Sequence, residues 1–203
     1  MMKVYAVIDT NILVSALITR NPDAATRMIV SSVSEGRIVP MINPEILKEY
    51  GEVLVRDKFG FASDDVSDML ELFAVRGKIY IPQQEESDFR DSDDYVFYAT
   101  YGMREGAYLV TGNLRHFPVE PRIVSPSDMV NILCTCREEG GVLSEPQMEY
   151  MSEEKQAVLN RAAQAMERMR QAAAANGISE RSMEEIDEEI RRVRKHCILK
   201  ISE

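Results

Sequence analysis

Up to residue 136 the apolar positions fall into two alternating textures. Short, almost wholly apolar runs read as strands: Val4 to Ile8, "RIVPMI", "KIYIP", "AYLVT" and "RIVSP". Between them lie helical patterns: "NILVSAL", Asp23 to Ser34, "PEILKEYGEVLVR", Ser63 to Arg76, Ser92 or Asp93 to Tyr101, and "SDMVNIL". Asn43 or Pro44 opens the third of these, since proline suits a helix start. Apolar strands separated by helices imply a parallel sheet covered on both faces. The predicted class is α/β, three-layered α/β/α around a central parallel sheet.

From Arg137 no strand pattern remains. A helix is predicted from about Glu153 to Ala175, stopped by Gly177, and a second helix follows. A boundary near 137 to 146 divides a domain at 1–136 from a helical C-terminal extension at 137–203, with no internal repeat across it. In the last helix Ser182 and Glu185 fit a capping box, and Met183, Ile186, Ile190 and Val193 form one apolar stripe. The stripe implies packing on the chain's own domain or on a second copy, which makes a homodimer the expected oligomer.

Charge narrows the partners. The net charge of −10 argues against broad electrostatic capture of nucleic acid, so any such contact must be local. Three cysteines, at 134, 136 and 197, form neither an even secreted framework nor a zinc pair, and a reducing cytoplasm is the simpler expectation. No apolar stretch is long enough for a membrane span, and the N-terminus lacks a signal-peptide pattern.

The candidate chemistry begins with a carboxylate. Asp9 directly follows the apolar run Val4 to Ile8, with no neighbouring Lys or Arg to answer its charge, and burying it unpaired costs several kcal/mol. The run "AYLVT" ends comparably, at Thr111-Gly112-Asn113. In open parallel sheets, ligands bind beyond the carboxyl ends of strands, so both segments belong at one edge. On the helix "PEILKEYGEVLVR" Glu49 borders the apolar stripe while Glu45 and Glu52 lie further toward solvent. Asp91, Asp93 and Asp94 cluster at a helix start, where they are caps, dipole partners or ligands. Oxygen ligands gathered from these segments would make a Mg²⁺ or Mn²⁺ site, the ion relieving their mutual repulsion.

Four stretches, "VIDTNILVSAL", "PEILKEYGEVL", "DSDDYVFYA" and "YLVTGNLRHFP", stand in the order and spacing of the PIN-domain family. Over residues 3 to about 133 the chain resembles the branch formed by toxin components of toxin–antitoxin systems. The resemblance implies a Mg²⁺- or Mn²⁺-dependent ribonuclease that hydrolyses RNA phosphodiester bonds, with an antitoxin protein as possible partner. Carried over by position, Asp9, Glu49 and Asp94 are the catalytic acids. Asp9 and Asp94 bind metal with Asp91 as companion, and Asn113 stands where many members have a fourth Asp, offering a neutral carbonyl ligand. Thr10, Asn11 and Thr111 would hold the carboxylates in place. Arg115 and His116 would contact RNA or else lie on an exposed loop with incidental charge. Asp94→Asn is then expected to abolish cleavage while leaving the melting temperature unchanged or raised, by relieving repulsion.

Two rivals stand beside this reading. An aspartate-nucleophile phosphatase wants a second Asp two residues after the first, where this chain has Asn11, and a later Lys that "DSDDYVFYATYG" lacks. A catalytically weak PIN-like module that binds protein partners is the other. The last helix is similar to the C-terminal segments with which antitoxins wrap toxins, and it carries Arg191, Arg192, Arg194 and Lys195. A cation from it would compete with a metal for the carboxylates.

Overall fold

The computed structural model describes residues 3–82, 92–138, 152–179 and 181–201. Five parallel strands form one sheet: β1 (Val4–Ile8), β2 (Ile38–Ile42), β3 (Lys78–Ile79), β4 (Tyr108–Val110) and β5 (Ile123–Val124), in the order β3-β2-β1-β4-β5. All of β2 and four of the five residues of β1 are buried, as strands covered on both faces must be. The expected three-layer α/β/α class holds.

Helices α1 (Thr10–Ile18), α2 (Ala25–Ser34), α3 (Pro44–Leu54), α4 (Ser63–Arg76), α5 (Ser92–Gly102) and α6 (Pro126–Glu138) connect or follow the strands. Helices α7 (Glu153–Ala175) and α8 (Met183–Ile201) form the extension. The extension packs into the same core as the sheet. Ala162, Met166, Met169 and Ala173 of α7 and Ile186, Ile190 and Val193 of α8 belong to one apolar cluster with Ile12, Phe73 and Phe97. The apolar stripe of α8 therefore meets its own domain.

β1 is the middle strand, with β2 on one side and β4 on the other. The chain builds outward from β1 to β3 and then crosses back to β4. The strand order thus reverses between β1 and β4, the place beyond whose strand ends ligands bind in open sheets of this kind. Among the described residues no helix is long and apolar enough to cross a membrane.

Candidate active site

Asp9 and Thr111 directly follow the ends of β1 and β4, and both are buried. The Asp9 backbone N–H donates to the Val110 carbonyl at 2.9 Å, and the Thr111 hydroxyl donates to Asp9 Oδ2 at 2.6 Å. Asp9 occupies the N-cap position of α1, yet its carboxylate makes no capping bond. A residue type that usually caps is turned to another task here.

Helix α3 brings Glu49. Asn43 Oδ1 accepts from the backbone N–H of Glu45 at 2.8 Å and of Ile46 at 2.9 Å, so the helix start is capped. That sets the phase in which Ile46, Tyr50, Val53 and Leu54 are buried and Glu49 lies beside them, while Glu45 is exposed. The Thr10 hydroxyl donates to Glu49 Oε1 and the Tyr50 hydroxyl to the Ile8 carbonyl, tying α3 to the end of β1. Asp94, only 2% exposed, enters from the start of α5.

At the centre of these acids lies Arg194. Its Nε donates to Glu49 Oε2 at 3.0 Å, its Nη2 to Glu49 Oε1 at 2.9 Å and its Nη1 to Asp94 Oδ1 at 2.7 Å. The planar fork of a guanidinium suits such paired carboxylate oxygens. Its carbon lies 5.7 Å from the Phe97 ring centre. The apolar stripe of α8 delivers it, aided by a polar tether through Asn11. Asn11 accepts from the Gly112 N–H at 3.1 Å and donates to Asp187 Oδ1 at 2.8 Å. Met183 lies against this loop: a Cβ on Gly112 would sit 2.5 Å from the Met183 Cε.

Three carboxylates thus face one guanidinium. Burial pushes the Asp9 carboxyl up to about 7, opposed by Arg194, reinforced by Asp94, opposed by the Thr111 bond and reinforced by Glu49. Burial also raises Glu49, against the pull of Arg194. Burial works against charge on Arg194, but Glu49, then Asp94 and Asp9, hold its guanidinium above the ordinary range. Negative charge remains in excess. Asp94 Oδ2 is buried without a well-aligned hydrogen-bond donor, although His116 Nδ1 lies 2.9 Å away. Surplus carboxylate charge, hydroxyls behind the acids and an unsatisfied carboxylate oxygen suit a hard divalent cation. Asp9, Glu49 and Asp94 would hold it. Among the described residues no three His, Cys, Asp or Glu side chains form a ready metal cage. The guanidinium stands between Glu49 and Asp94.

The expected residues are distributed as follows. Asp9, Glu49 and Asp94 share Arg194 as their neighbour, and Thr10 and Thr111 hydrogen-bond two of them. Asn11 joins the β4 loop to α8 instead of touching a carboxylate of the cluster. The Asn113 amide nitrogen lies 2.8 Å from His116 Nε2, its backbone N–H donates to the Thr111 hydroxyl at 3.0 Å, and its side chain also bonds Asp187. His116 sits against Asp94 and Arg115 is exposed. Asp91 lies outside the described residues. Sequence reasoning passes over Tyr50, Asp187 and Glu189, whose partners lie far away in the chain. The expected stability of Asp94→Asn must be revised: Arg194 already relieves the repulsion, so the substitution weakens a buried ion pair.

A family model described as PIN domain matches residues 5–115, more than half of the chain. An uncharacterized protein of Methanocaldococcus jannaschii is 29% identical over 114 residues, covering 55% of this chain and 72% of the relative. No solved structure matches. PIN domains are in general nucleases that act on nucleic acid, and the matched region holds Asp9, Glu49, Asp94 and Thr111. The chain belongs to the PIN-domain family.

Proposed function

We infer that the protein is a metal-dependent ribonuclease of the toxin type, hydrolysing RNA phosphodiester bonds, and that it carries an antitoxin-like segment in its own chain. One observation carries this reading: buried Asp9 and Asp94, at the end of β1 and the start of α5, and half-buried Glu49 of α3 surround a guanidinium supplied by α8. Mg²⁺ or Mn²⁺ held there supplies Lewis acidity toward a phosphodiester and makes water a nucleophile at neutral pH. The protein's own residues position the acids. Thr111 fixes Asp9, Thr10 fixes Glu49, and the Tyr50 hydroxyl anchors α3 to β1. His116 Nδ1 lies 2.9 Å from Asp94 Oδ2 and its Nε2 faces the Asn113 amide, so the ring sits between the two. No side-chain nucleophile is required.

Seated Arg194 occupies the space between Glu49 and Asp94, so metal and α8 compete for the same carboxylates. The reading as a toxin component rests on the four motifs and on this antitoxin-like helix. The test is cleavage of single-stranded and structured RNA by the native chain and by Arg194→Gln, with Mn²⁺ or Mg²⁺ and with EDTA. Cleavage that needs metal, disappears in EDTA and is stronger in Arg194→Gln supports the enzyme. Absence of cleavage in a folded Arg194→Gln that binds Mn²⁺ favours the alternative, a PIN-like module acting through protein partners.

A further inference from the structure

Besides Arg194 and Asp187, α8 buries a third charged side chain among the described residues. Glu189, 3% exposed, lies on the opposite flank of the apolar stripe. Its Oε1 is 3.2 Å from Arg56 Nη2, its Oε2 meets Lys58 Nζ, and Arg192 Nη1 lies 3.6 Å from Oε2. Arg56 and Lys58 directly follow α3, the helix that carries Glu49, and with Val55, Asp57 and Glu189 they line an open cavity of about 380 Å³.

The pairing has an order. Glu189 sits opposite residues 56–58 and Arg194 opposite Glu49, so α8 runs antiparallel to α3. Five residues of helix separate the two charges by about 7.5 Å of rise. α8 therefore sets a cation on the acids and, next to it, a carboxylate between two bases. A buried anion gripped by Arg and Lys fills the role of a backbone phosphate, for which these side chains are the usual partners. In a chain of net charge −10 a strand can be held only at such local basic points.

We propose that Arg56 and Lys58 form a phosphate-binding site for the RNA strand beside the catalytic acids, and that Glu189 takes the place of a backbone phosphate while α8 is seated. The identity of the strand rests on the ribonuclease reading. The helix then imitates both things the open site would bind, with Arg194 in place of the cation and Glu189 in place of the phosphate.

The experiment measures binding of a short fluorescein-labelled single-stranded RNA to the full-length chain in EDTA over a salt series. Glu189→Gln is expected to bind several-fold more tightly than native. Adding Arg56→Gln and Lys58→Gln should reverse that gain and lower the salt slope by about 0.7 for each phosphate that is no longer neutralised. A charge-preserving exchange, Arg56→Lys with Lys58→Arg, should keep most of the affinity if the site reads charge. Equal RNA affinity in native and Glu189→Gln, or an unchanged slope in the folded triple variant, overturns the proposal. Because binding is read without metal, cleavage stays a separate outcome. RNA held through Arg56 and Lys58 but never cut with Mn²⁺ would sink the ribonuclease reading and leave the phosphate site standing.

Discussion

α7 and α8 follow one another in the chain and share one apolar core, but the charges that flank their stripes are of different kinds. α7 packs on α4, and around its buried Met166, Met169 and Ala162 the ion pairs lie at the rim. Arg161 meets Asp68 at 3.1 Å and Glu71 at 2.5 Å, and Arg168 meets Asp65 at 2.5 Å, both arginines about half exposed. α8 keeps an exposed pair, Arg192 with Glu188, but also buries charges: Arg194 side chain 8% exposed between Glu49 and Asp94, Glu189 at 4% between Arg56 and Lys58. Rim pairs decorate a contact that apolar area already makes, whereas buried pairs decide whether the contact holds. The partners of α8 are also the groups a metal ion and a phosphate would seek. On the proposed reading a ligand competes with α8 for these groups and not with α7.

The largest effect should come from Arg194→Gln. Removing one partner of a buried ion pair costs about 3–5 kcal/mol, because the other charges stay behind. Metal-dependent RNA cleavage per folded molecule should rise at least about tenfold if α8 normally closes the site, since relieving about 1.4 kcal/mol of competition already corresponds to a factor of ten. The same substitution should make the melting temperature respond to Mn²⁺ far more than that of the native chain. Calorimetry with and without Mn²⁺, paired with an RNA assay, checks both. No change in either readout would place α8 with α7 as a plain brace.

Much of this architecture is legible in the sequence and one decisive contact is not. "PEILKEYGEVLVR" announces both the phase of α3 and the inward glutamate, because proline, an asparagine cap and a 3.6-residue stripe are local signals. The run ending in Asp9 gives the carboxylate at the strand end by the same kind of local reasoning. What answers Asp9, however, comes from Arg194 at the far end of the chain, and a contact between such distant residues leaves no trace in either neighbourhood. The sequence does present Arg191, Arg192, Arg194 and Lys195 as a group. Phase could single out Arg194, which stands four residues after Ile190 and next to Val193 on the buried face. Position within the family motif makes Asn113 an expected ligand. The structure sets its amide nitrogen against His116, a partner three residues away in a short 3₁₀ turn that the sequence does not signal.

Next in size is a substitution on the other helix. Met169 is fully buried in the α4–α7 contact, and Met169→Ala should cost about 2–5 kcal/mol through forfeited transfer energy and the cavity left behind. Cleavage per folded molecule, measured well below the melting temperature, should stay at the native level. If Met169→Ala activates the enzyme as Arg194→Gln does, α7 and α8 release together and the distinction between brace and plug fails.

A smaller effect separates the two regions by pH. Burial holds the Asp9 carboxyl at about 7, above its ordinary value of 3.8, so the folded chain binds that proton more tightly than the unfolded one. The sign follows: this stabilising contribution is complete below about 4 and is lost as pH rises through about 7. Glu49 is shifted in the same direction. Urea midpoints in EDTA should therefore fall between pH 4 and pH 7, and Asp9→Asn should flatten that decline. A decline equally steep in Asp9→Asn would mean that the pH dependence arises elsewhere.

The smallest expected effect is the one that tests the rim of α7. Arg161 is 48% exposed and reaches Asp68 and Glu71 across the surface of α4. Solvent and salt screen such a pair, and two long side chains must be ordered to make it. Arg161→Gln should leave the melting temperature, its response to salt and the RNase activity almost unchanged. The contrast lies in what the side chain leaves behind: at position 161 two acids return to water, at position 194 buried Asp9 and Asp94 and half-buried Glu49 stay around a gap. A melting temperature lowered by Arg161→Gln as far as by Arg194→Gln would show that exposure does not govern these ion pairs. The two helices would then be held to the core by the same means.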